Sequence, residues 1–184
     1  MAKVNGIEVN NITQMVEGVK ANPGMAQATF SATTSWKSGF HNKATVASFK
    51  LGGANVSHSK TFTVEGDHPK ELLGTGLGPT SVEVLLAALG HCIASGWATY
   101  GAVLGAEVDD LRIEVEGNVD LQGMLGLPEP GKVRPGFQKI RVTHYVKSKA
   151  PKEKLEQVKK MAEDLSPTKD SLRAVDYSSK LVIQ

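Results

Sequence analysis

Between Val84 and Gly105 the chain carries no charged side chain. A run of that length either crosses a bilayer or forms a helix that other protein must cover on every side. Gly90, His91, Ser95, Gly96, Thr99, Tyr100 and Gly101 interrupt it with small or polar groups, and no basic cluster marks one flank as cytoplasmic, so a buried central helix is expected. Its start is fixed by Thr80-Ser81-Val82-Glu83, in which a threonine hydroxyl and a glutamate three residues on can satisfy each other's backbone amides. Its end is expected near Val103, with Gly105 as the left-handed terminator. A few short strands cover only part of such a helix, so a partner subunit is the economical cover. Ala87, Ala88, Gly90, Ala94, Ser95, Gly96, Ala98 and Gly101 are small enough to admit a second helix, which predicts an obligate two-fold homodimer.

The 184 residues suit one domain of ordinary size plus short extensions. A net charge of +2, only four arginines and 5% aromatics leave few groups to read bases or track phosphates, which argues against a nucleic-acid partner. The single cysteine excludes an intrachain disulfide and a cysteine-based zinc site, and suits a reducing compartment. The opening segment MAKVNGIEVNN has neither the apolar stretch of a secretory signal nor the arginines of a transit peptide, so the expected location is the cytoplasm, with no membrane partner.

Ile12 to Lys20 places Ile12, Met15, Val16 and Val19 on one helical face, and Asn22-Pro23-Gly24 ends it. From Ala26 to Val64 the pattern predicts a three-stranded antiparallel meander with turns at Lys37-Ser38-Gly39 and Gly52-Gly53-Ala54-Asn55. A glycine-rich loop, Gly74 to Gly78, leads to the apolar helix. Strands follow over Asp110–Leu121 and Lys139–Lys147, separated by a proline-rich loop, Gln122 to Gly136, expected to be a mobile flap. Pro151 opens a second amphipathic helix that Ser166-Pro167 breaks, and Val175 to Ile183 reads as a closing strand. This order predicts an α+β fold.

Cys92 lies mid-helix in the most apolar part of the chain. It is either a small buried hydrophobe or a reactive thiol, and the second reading needs a cation from elsewhere, because mid-helix offers no help in lowering a thiol pKa. His91 points about 100° away from Cys92 on a helix and suits packing or an interface, while Glu83 lies on the opposite side of the same helix and serves the cap. The glycine-rich loop lacks the Gly-Lys-Ser/Thr ending of a phosphate cradle. His41, His58, His68 and His144 show no metal-ligand spacing, so neither metal nor cofactor is expected.

Trp36-Lys37-Ser38-Gly39-Phe40, Asp67-His68-Pro69, the run Gly78-Pro79-Thr80-Ser81-Val82-Glu83 to Gly90-His91-Cys92, Arg134-Pro135-Gly136-Phe137 and Leu165-Ser166-Pro167 together resemble the OsmC/Ohr family. The likeness covers about residues 26–184 as an OsmC-like domain and leaves residues 1–25 as an N-terminal helical extension. It implies an OsmC-like α+β fold, with antiparallel sheets wrapped around central buried helices in an intertwined homodimer and a site at the subunit interface. It also implies reduction of organic hydroperoxides: a peroxidatic cysteine becomes a sulfenic acid, a resolving cysteine before a proline closes a disulfide, and a dithiol reduces it, with an arginine and a glutamate assisting. Cys92 matches the peroxidatic position. Ser166 stands where the resolving cysteine would be, Lys37 where the arginine would be, and the glutamate position falls at Val82, one residue from Glu83. The implied catalytic set is Cys92, Lys37 and Glu83, with His41, His91 and Arg134 as substrate-binding candidates.

Two functions fit these features. One is a one-cysteine thiol peroxidase that reduces organic hydroperoxides and is resolved by an external thiol or dithiol. The other is a non-enzymatic dimer that binds an apolar small molecule, with Cys92 only lining the site.

Overall fold

In the computed structural model, residues 3–172 are described. They divide into two units: residues 8–85, and residues 3–7 together with 86–172. The strand expected at Val175 to Ile183 lies outside the described residues.

The first unit opens with α1 (Val9–Ala21), longer at both ends than its apolar spacing predicts. The Asn22 side chain accepts from Gly24 N–H at 3.2 Å and starts the turn that ends the helix. Four strands follow, β3 (Ala28–Phe30), β4 (Thr33–Ser38), β5 (His41–Leu51) and β6 (Ala54–Gly66). Both β3 and β4 pair antiparallel with one edge of β5, and β6 pairs with the other. The expected meander is therefore present, with its first strand broken at Ser31-Ala32 and its register slipped by one residue there. The β5–β6 hairpin turns through Gly52 and Gly53, both at positive φ (54° and 84°), which side chains resist and glycine accepts. Thr34, Ala44 and Val64 share a register position and a face, and Ser35, Lys43 and Glu65 share the opposite one. One side of the sheet is thus largely apolar and the other polar.

The glycine-rich loop after β6 wraps a buried carboxylate. Asp67, 2% exposed, accepts from His68 N–H at 2.8 Å, from Thr75 N–H and Leu77 N–H at 3.1 Å each, and from the Thr75 hydroxyl. A Cβ on Gly74 would lie 1.9 Å from the His68 carbonyl oxygen, and one on Gly78 would lie 2.4 Å from that of Glu65, so the backbone closes this tightly only through glycine. Two of the loop's amides that could have faced a phosphate face Asp67 instead. The Thr75 hydroxyl leads in holding the Asp67 carboxyl far below the ordinary carboxylate value; burial opposes it, and the three amides add to it. A depressed carboxylate stabilises the fold above its unfolded pKa, and that stability is lost as pH falls toward the folded value. Asp67→Asn offers one acceptor oxygen and turns an NH2 group toward N–H donors, so it is expected to lower the melting temperature by roughly 5 °C or more at pH 7. Thermal melts should show that gap narrowing below about pH 4; a pH-independent gap would contradict the assignment.

The central helix α2 (Ser81–Leu104) begins in the first unit and continues into the second. Its start is the predicted box: Thr80 N–H and the Thr80 hydroxyl donate to Glu83 Oε2 at 2.7 Å, and Glu83 N–H returns to Thr80 Oγ1 at 3.4 Å. Gly105 follows at φ 64°. The helix is long and apolar enough to cross a membrane, yet Leu89, Ile93 and Trp97 form the core of the second unit with Val158 and Ala162. The inner residues of the antiparallel pair β7 (Asp110–Asn118) and β8 (Lys139–Lys147) pack on that core. Val158 and Ala162 belong to α4 (Lys152–Asp164), which lies close to α2: a Cβ on Gly96 would sit 2.9 Å from Ala162 Cα. Gly96 therefore serves a contact within the chain rather than the approach of a second helix. The same holds for Gly101, where a Cβ would come within 2.5 Å of Asn5 Nδ2. The covered stripe is one face only, and Leu85, Ala87, Ala88, Ser95 and Val103 remain exposed.

β7 stops at Asn118, short of the expected Leu121, because Asp120 accepts from Gln122 N–H at 2.9 Å and caps the short helix α3 (Leu121–Leu125). The loop expected to be a flap thus starts as helix. Residues 3–7 also join this unit. β1 (Lys3–Val4) and β2 (Ile7–Glu8) form a hairpin across Asn5-Gly6, both at positive φ (51° and 79°). Asn5 then donates to the Ala106 carbonyl at 3.0 Å and accepts from Val108 N–H at 2.8 Å.

Candidate functional site

The helix break predicted at Ser166-Pro167 builds the surroundings of Cys92. Ser166, 2% exposed, caps α5 (Pro167–Ser171), its hydroxyl oxygen accepting from Lys169 N–H at 3.1 Å. That bond turns the hydroxyl proton outward, and it is donated to Cys92 Sγ at 3.0 Å. Pro167 has no N–H, so the first free amide of α5 belongs to Thr168. Thr168, through its amide and its hydroxyl, also favours the ionised sulfur. Burial pushes the Cys92 thiol up; the donors from Ser166, Thr168 N–H and the Thr168 hydroxyl outweigh it, and the thiol lies below its ordinary value. Neutral donors stabilise the thiolate, and none of the groups that shift it is a cation. The expected need for a cation is corrected on that point: the help comes from a helix start packed beside the sulfur, invisible from the position of Cys92 within α2.

Cys92 is half-buried, so the thiolate is both stabilised and open to a reactant. Such a thiol can act as a nucleophile toward an electrophilic oxygen or sulfur. Thr168 was not among the candidates from sequence; the clue was Ser-Pro-Thr itself, a cap followed by a residue with no amide and then one with an unspent amide.

Lys37 lies in β4 at a register break between Trp36 and Ser38, and Trp36 Nε1–H donates to the Gly39 carbonyl at 2.9 Å. His41 Nε2 lies 3.0 Å from Glu65 Oε2, and Lys43 Nζ lies 2.9 Å from Glu65 Oε1. Lys43 first and His41 second lower the Glu65 carboxyl, against slight burial. The Glu83 carboxylate is engaged in the α2 cap, where the Thr80 hydroxyl and amide lower it. Lys37, His41 and Glu83 belong to the first unit. His91 and Arg134, in the second, are exposed. Within the second unit the structure brings Cys92 and Ser166 together.

Among the described residues no group of three or more His, Cys, Asp or Glu side chains could hold a metal ion. The first unit has a concavity of about 370 Å³ on the apolar side of its sheet, lined by Phe40, Ala44, Val46 and Val64, with Asn42 and His68 as polar points. The Phe40 ring stacks on His68 at 4.4 Å between centroids.

The family described as OsmC-like protein matches residues 74–179, more than half of the sequence, and the chain belongs to it. No curated protein matches the sequence. Among solved structures, the chain is similar to an OsmC-like protein from Mycoplasma pneumoniae, with 15% identity, TM-score 0.60, and coverage of 79% of this chain and 88% of that one. It is also similar to an OsmC-like protein from Vibrio cholerae, with 14% identity, TM-score 0.53, and coverage of 78% and 93%. An organic hydroperoxide resistance protein from Legionella pneumophila aligns with 15% identity, TM-score 0.50, and coverage of 78% and 90%. At these identities the structural likeness establishes the α+β OsmC-like fold.

Proposed function

We propose that this chain is a one-cysteine, thiol-dependent peroxidase that reduces organic hydroperoxides through Cys92. The observation that carries the reading is the Ser166 hydroxyl donating to the Cys92 sulfur at 3.0 Å, which, with Thr168, lowers the thiol despite its burial. The thiolate attacks the terminal oxygen of ROOH; the S–O bond forms, the O–O bond breaks, and RO⁻ leaves and takes a proton to become the alcohol. Sulfur is oxidised by two electrons and the peroxide is reduced by two. With serine at position 166, no thiol there can displace the hydroxyl, so an external thiol attacks the sulfenic acid and releases water. A second thiol, or the other arm of a dithiol, then frees Cys92 as the external disulfide forms. The test is consumption of cumene hydroperoxide with a dithiol reductant: turnover supports the reading, and none under reducing conditions rejects it.

The remaining roles that the family resemblance implies belong to the same proposal. Lys37 and Glu83 assist, while His41, His91 and Arg134 contact substrate. Lys37→Ala is expected to slow turnover severalfold; unchanged turnover would remove Lys37 from the set. We further propose a cytoplasmic homodimer in which residues 26–184 form the OsmC-like domain and residues 1–25 an extension. The exposed Leu85, Ala88 and Val103 of α2 support a partner, and sedimentation as a folded monomer at micromolar concentration would contradict it. The concavity of the first unit favours a second reading, non-enzymatic binding of an apolar small molecule. An inert Cys92 together with saturable uptake of an apolar fluorophore would select it.

A further inference from the structure

β8 presents Ile140, Val142, His144 and Val146 at alternate positions, so one imidazole stands in an otherwise aliphatic row. Its side chain is 4% exposed. Trp97 Nε1–H of α2 donates to His144 Nδ1 at 2.8 Å, and His144 Nε2 lies 2.8 Å from Glu163 Oε1 of α4. An indole N–H can only donate, so Nδ1 accepts and the ring proton sits on Nε2, directed at the carboxylate. Burial lowers His144 below the ordinary imidazole value; Glu163 opposes that shift and Lys159 adds to it, which keeps the ring in the neutral form this chain of bonds requires. The bonds run from α2 through β8 to α4, and the thiol chemistry uses none of their three side chains.

Glu163 is where this chain meets the site. Its carboxylate also faces Lys159 Nζ at 3.1 Å and Lys169 Nζ at 3.9 Å, and its backbone carbonyl accepts from Ser166 N–H at 3.4 Å. Ser166 and Lys169 are the two residues whose hydroxyl and amide orient the donor to sulfur. The Glu163 carboxylate therefore reaches the α4–α5 corner through Lys169, while its backbone carbonyl holds Ser166 N–H, and His144 ties the side chain to the sheet. The groups facing the imidazole are Trp97 from α2 and Glu163 and Lys159 from α4, with Lys169 of α5 reached through Glu163.

We propose that Glu163, anchored by His144, is a positioning residue that holds the α4–α5 corner so that Ser166 donates to Cys92. The inference rests on the thiolate reading of Cys92. It is tested by the apparent pKa of Cys92 in the full chain, read from the rate of iodoacetamide alkylation against pH, with the unfolding midpoint measured in parallel. Glu163→Ala leaves the buried Nε2–H without its acceptor and leaves Lys169 with Asp164, at 3.7 Å, as its remaining carboxylate partner, and is expected to raise the apparent pKa by about one unit, about tenfold less thiolate below it. Glu163→Gln keeps an oxygen for His144 and is expected to restore most of that shift. A through-space charge effect has the opposite sign, because removing an anion near a thiolate lowers its pKa in both variants. Should Glu163→Ala not fold, Trp97→Phe removes the indole donor from the other end of the chain and is expected to raise the thiol pKa in the same direction. A lowered wild-type thiol that stays unmoved, or falls, in the folded variants overturns this inference alone. A wild-type thiol of ordinary pKa overturns the site reading and this inference with it.

Discussion

Cys92→Ser is expected to abolish all protein-dependent consumption of organic hydroperoxide, with the fold intact. The substitution is close to isosteric, and Cys92 is the only cysteine in the chain, so no second thiol can take over. A serine hydroxyl in the same place is ionised to a negligible extent at neutral pH, and the donors from Ser166 and Thr168 cannot make it a comparable nucleophile. Loss of turnover with an unchanged unfolding midpoint is the expected pair of results. Peroxide consumption persisting in the variant would move the chemistry to another group and end the one-cysteine account.

The second large effect comes from Ser166. Its oxygen lies 3.0 Å from the Cys92 sulfur, so Ser166→Cys places a thiol where it can attack the sulfenic acid, expel water and close a disulfide between the introduced sulfur and Cys92. One equivalent of peroxide should then give a protein two hydrogens lighter, in place of one carrying an extra oxygen, and a dithiol should regenerate it. The control is Ser166→Ala, which removes a hydrogen bond to a charged acceptor worth about 1.5–3 kcal/mol and should raise the thiol pKa by about 1–2 units. Alkylation near neutral pH then slows by about tenfold or more. Persistence of a free sulfenic acid in Ser166→Cys, or an unchanged alkylation rate in Ser166→Ala, would contradict the geometry.

The parts of this architecture legible in the residues were those fixed locally. The start and end of α2 follow from Thr80, Glu83 and Gly105, because capping chemistry is decided within one turn. The two strands β7 and β8 follow from their alternation, and the meander turn at Gly52-Gly53 from glycine's tolerance of positive φ. The break between β3 and β4 left no trace in the pattern, since a one-residue slip preserves composition. The Asn5-Gly6 hairpin carried a readable turn signal, but its docking on Ala106 and Val108 is a contact across about a hundred residues and has no local signature. The site shows the same division. The Cys92 and Ser166 positions came through the family resemblance, whereas the donors of Thr168 and the anchoring of Glu163 by His144 depend on how α5 and α4 fold onto α2 and β8. His144 was visible only as a polar interruption of an aliphatic row.

The proposed chemistry requires Cys92 to be a stabilised thiolate that takes oxygen from an organic hydroperoxide. The most direct measurement mixes the reduced protein with one equivalent of cumene hydroperoxide, without reductant, and follows the peroxide alongside the intact mass and a sulfenic-acid trap. Loss of one equivalent of peroxide and one trapped sulfenic acid per chain, mapped to Cys92, is the expected result. Unconsumed peroxide with an unmodified Cys92 would contradict it.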